Sequence, residues 1–91
     1  MNTTAHSLSS LPFVQTNEDG SIESLWKVRP TGDYDTDFAT GKSYAQALIV
    51  RIRANQTGGG LYQICKAMPR KQFSTIEIGF YTEIGLAVAG L

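Results

Sequence analysis

Residues 35–54, DTDFATGKSYAQALIVRIRA, carry the longest readable period in the chain. Phe38, Tyr44, Ala45, Leu48, Ile49 and Ile52 recur there at spacings of three and four, which gives a helix one apolar stripe. Asp33, Asp35 and Asp37 stand at its start and Arg51 and Arg53 at its end, the order that complements a helix dipole. Gly41 and Ala45 share part of the striped face, so a neighbouring backbone has room to come close. The rest of the chain is expected to be laid against this helix.

The segments on either side read as shorter elements. Residues 1–10 are small and polar apart from Leu8 and are expected to form a disordered tail, with a single domain over residues 11–91. Leu11, Pro12, Phe13 and Val14 begin the order, and Asn17-Glu18-Asp19-Gly20 signals a turn in which glycine supplies a positive φ. A strand over residues 22–28 then completes a β-hairpin, with Trp26 and Val28 on one face. Two strands alone are marginal in water, so Trp26 is expected against Leu48 or Ile52 of the helix. Beyond it, NQTGGG at residues 55–60 reads as a break. Leu61, Ile64, Cys65 and Met68 then follow a helical spacing that Pro69 stops, and Arg70-Lys71-Gln72 forms an exposed basic link.

The last segment admits two periods. Residues 75–80 alternate as a strand would, yet Ile76, Phe80, Ile84 and Val88 fall four apart. Ser74 followed by Glu77 is a capping box, so a helix over residues 75–89 is the better reading. Gly79 and Gly85 each weaken such a helix by about 1 kcal/mol relative to Ala, so something is expected to pack close to both. The predicted fold is α+β, a hairpin followed by three helices in the order ββααα.

Composition excludes several kinds of protein. The net charge is zero and the pI is near 6.5, so the molecule as a whole has no field that would draw it to nucleic acid or membrane. The charges are nevertheless segregated. Residues 1–41 hold six acids against Lys27 and Arg29, whereas no acid occurs between Lys42 and Lys71. One cysteine and one histidine leave no material for an internal disulfide, a cysteine-rich zinc site or a histidine-based catalytic centre. The N-terminus lacks a signal-peptide pattern, and no apolar run approaches the roughly 20 residues of a membrane span. A cytoplasmic protein without a cofactor is the expectation.

Three local patterns invite a sharper reading. Thr40-Gly41-Lys42-Ser43 matches the end of a phosphate-binding loop, but Thr36 stands where that loop needs its first glycine. The spacing of Asp33, Asp35 and Asp37 opens a calcium loop, whose glycine and closing glutamate would then fall at Phe38 and Tyr44. A dipole-complementing cluster explains the carboxylates better. Cys65 lies on its helix's apolar stripe and reads as core packing. Glu77 and Glu83 have no evident partner in sequence, so paired-carboxylate chemistry has no support.

The pattern Pro12-Phe13, Asp19-Gly20, Trp26-x-Val28, Thr31-Gly32-Asp33-Tyr34, Tyr44-Ala45, Ala67-Met68 and Glu77-Ile78-Gly79-Phe80 resembles short hypothetical proteins of proteobacteria, often encoded near mobile-element genes. The resemblance covers residues 12–84. It implies a bacterial domain and carries over no functional residue, since no activity is assigned to that group.

These readings converge on a non-enzymatic protein-interaction module that forms a homodimer. Residues 84–91 contain no polar side chain, and a helix apolar on all sides is normally covered on all sides. The expected interface is Gly85, Leu86, Ala87, Val88, Ala89 and Leu91. The alternative is a nucleic-acid-binding regulator that uses Arg51, Arg53, Tyr62, Lys66, Arg70 and Lys71. Two helices around a glycine turn suit that alternative, but the turn is longer than in a helix-turn-helix and the pI is not basic.

Overall fold

The computed structural model describes residues 8–55, 59–69 and 73–90. Residues 1–7 of the expected tail over residues 1–10, residues 56–58 of the expected break, the basic link of Arg70, Lys71 and Gln72, and Leu91 lie outside the described residues. The elements are β1 (Gln15–Thr16), β2 (Ile22–Ser24), α1 (Tyr34–Asn55), α2 (Gly59–Ala67) and α3 (Thr75–Ala89). This is the expected ββααα order.

The hairpin is shorter than its sequence suggests. The strands pair antiparallel through Gln15 with Ser24 and Thr16 with Ile22, with a register shift between Gln15 and Thr16. The turn closes where expected: Gly20 takes φ 90°, and Asp19 accepts from the backbone and hydroxyl of Ser21 at 3.0 and 2.7 Å. Past Ser24 the chain leaves the ladder so that Trp26 can turn inward, and one further bond runs from Lys27 N to Phe13 O at 2.8 Å. Trp26 is buried in the same core cluster as Leu48, with Ile52 packed against that cluster. Its ring partners are Phe13 at 5.0 Å, Phe80 at 5.1 Å and Tyr44 at 6.1 Å. The hairpin therefore docks across both α1 and α3, with the fully buried Phe13 at the centre, which supplies the packed face that two isolated strands lack.

Order begins by Leu8, ahead of the expected boundary at residue 11. Leu8 is 2% exposed, and its carbonyl accepts from Leu11 N at 3.0 Å. It packs where Gly60 of α2 leaves space, since a Cβ there would lie 3.0 Å from Leu8 Cδ2. The same contact explains why α2 starts within the glycine run instead of after it: a bare backbone at Gly60 admits Leu8, and the burial gained offsets glycine's poor helix propensity.

Two acids at the start of α1 have local work. Asp33 accepts from Thr36 N at 2.9 Å as a helix cap. Asp37 is buried and accepts from Thr31 N, Thr31 Oγ1 and Gly32 N at 3.0, 2.8 and 3.1 Å. These bonds, that from the Thr31 backbone first, hold its carboxyl below the usual carboxylate range. The Thr40-Gly41-Lys42-Ser43 sequence lies inside α1, so its glycine is part of a helix face and not of a phosphate loop.

Gly41 and Gly79 form the crossing of α1 and α3. A Cβ on Gly41 would lie 1.9 Å from Ile76 O, and one on Gly79 would lie 2.2 Å from Phe38 O. Each helix thus presses backbone against backbone, the approach the small residues of α1 suggested. Gly85 behaves otherwise, with nothing among the described residues within 4 Å of its would-be Cβ. Helix α3 begins with the expected capping box, Ser74 with Glu77, and ends at Gly90 in the left-handed region. Glu77 does more than cap. It is 1% exposed, and its Oε2 accepts from Trp26 Nε1 at 2.6 Å, tying the hairpin to the first turn of α3.

Candidate functional site

The two long helices run in the same direction. Gly41 meets Ile76 and Phe80, Gln46 hydrogen-bonds Glu83, and Arg53 shares a cleft with Ala87 and Gly90, so position rises together on both. Beyond the glycine crossing the side chains on α1 grow, from Gly41 and Ala45 to Leu48, Ile49 and Ile52. Two clefts open there. One, of about 290 Å³, lies between Gln46, Ile49 and Arg53 of α1 and Glu83, Ala87 and Gly90 at the end of α3. The other, of about 210 Å³, is lined mainly by Ile49, Ile52, Leu61, Ile84, Ala87 and Val88, so that all three helices contribute.

The second half of α3 forms the wall of both clefts and is poorly covered. Val88 is 82% exposed and Leu86 39%, Gly85 and Ala89 are exposed, and Ile84 and Ala87 are half-buried. The first half contrasts sharply: Ile76, Glu77, Gly79 and Phe80 are all buried. The expected interface residues Gly85, Leu86, Ala87, Val88 and Ala89 therefore lie together on one apolar helix end, and Leu91 is outside the described residues. The sequence reading missed the contribution of Ile49, Ile52 and Leu61, which share the core's periodicity and carry no sign that they border an opening. Among the described residues no helix is long and apolar enough to cross a membrane.

The basic residues do not form one continuous face. Arg51 hydrogen-bonds Ser10 Oγ, whereas Arg53, two positions on and hence on the other side of α1, stands at the rim of the α3 clefts. Tyr62 and Lys66 lie on α2, the ammonium 5.9 Å from the ring centroid, and they border an open groove with Cys65, Met68, Pro69 and Phe73. Arg70 and Lys71 lie outside the described residues. Cys65, expected in the core, is half-buried at that groove, because only Ile64 and Met68 of the α2 stripe point fully inward. The Tyr81 hydroxyl beside it is pushed up to about 12, by burial first and then by its hydrogen bond with Cys65.

Compared with protein-family models, with curated proteins and with solved structures, the chain matches none of them.

Proposed function

We propose that this chain is a small, non-enzymatic protein-interaction module of the bacterial cytoplasm that works as a homodimer, joined through the C-terminal half of α3. The observation that carries the reading is the change of burial along α3, from a first half that buries Ile76, Glu77, Gly79 and Phe80 on one face while leaving Ile78 46% exposed, to a second half with no buried residue, whose Val88 is 82% exposed. Contiguous apolar surface of this kind is rarely left open on a soluble monomer, and a two-fold contact covers each patch with its copy. Asp37 and Glu77 are both engaged in holding loops to helix starts.

Sedimentation equilibrium at micromolar concentration tests the reading. A dimer that Val88→Glu dissociates without loss of helical signal is the expected result, since a side chain this exposed can be changed without disturbing the core. Ala87→Glu should act the same way. A monomer near 9.9 kDa refutes it. Titration with random-sequence DNA is the companion measurement, because a salt-dependent shift would favour the regulator using Arg51, Arg53, Tyr62 and Lys66.

A further inference from the structure

We draw no further inference here: the strongest candidate, the open groove beside α2 where the exposed Tyr62, Lys66 and Phe73 stand around the half-buried Cys65, is an aromatic face with one cation among its described lining residues, and nothing in the structure shows what covers it.

Discussion

Alanine at Gly79 and alanine at Gly85 should move stability in opposite directions, although both sit inside α3. Propensity alone gives each Gly→Ala change a gain of about 1 kcal/mol. At Gly85 nothing among the described residues lies within 4 Å of the added methyl, so that gain should be realised. At Gly79 the methyl would lie 2.2 Å from Phe38 O and 3.0 Å from its carbonyl carbon. These are backbone atoms of a packed helix and cannot rotate aside, so α1 and α3 must part by about 1 Å before the contact is ordinary. Overpacking costs about 1–3 kcal/mol, and backbone against backbone belongs at the upper end. Net of propensity, Gly79→Ala should destabilise by about 2 kcal/mol.

In a domain of this size 1 kcal/mol corresponds to about 4–8 °C. Gly79→Ala should therefore melt about 8–16 °C lower and Gly85→Ala about 4–8 °C higher. Both are best compared in the Val88→Glu background, so that association does not contribute. Urea unfolding followed by the fluorescence of Trp26, the chain's one tryptophan, gives the same comparison at constant temperature. If Gly79→Ala stabilises the protein as much as Gly85→Ala does, the close crossing of α1 and α3 is wrong.

Trp26→Ala should cost about 3–5 kcal/mol. Trp26→Phe keeps much of the ring contact but removes the donor to Glu77, and should cost about 1–3 kcal/mol; urea midpoints unchanged by either would refute the docking of the hairpin on α3. Leu8→Ala should cost about 2–5 kcal/mol by the same measurement, and a neutral result would return residues 8–10 to the tail. Asp37 predicts an acid-side slope. Its folded pKa is lowered from 3.8, so the stability it contributes is fully present above that value and is lost as pH falls through the lower folded pKa. Asp37→Asn should flatten the fall in urea midpoint below pH 3.8, and an unchanged slope would show that the carboxylate is not held as described.

What the sequence determined by itself was local. The stripe from Phe38 to Ile52 specifies α1, Ser74 and Glu77 mark the start of α3, and Gly20 marks the turn. Each of these signals arises among residues a few positions apart, where helix period, a cap or a positive φ is settled without help from the rest of the chain. The apolar composition of residues 84–91 likewise marked a helix end on which, among the described residues, Leu86 and Val88 stand exposed. The tertiary structure decided what depends on which elements meet. Glu77 lacks an evident partner in sequence because its donor, Trp26, is 51 positions away. Leu8 joins the core because α2 presents a glycine to it. Ile49, Ile52 and Leu61 continue the core's period but line an opening, because that opening exists only where three separate helices meet. Gly79 and Gly85 carry the same residue in the same helix, and only the crossing with α1 makes one indispensable and leaves the other open.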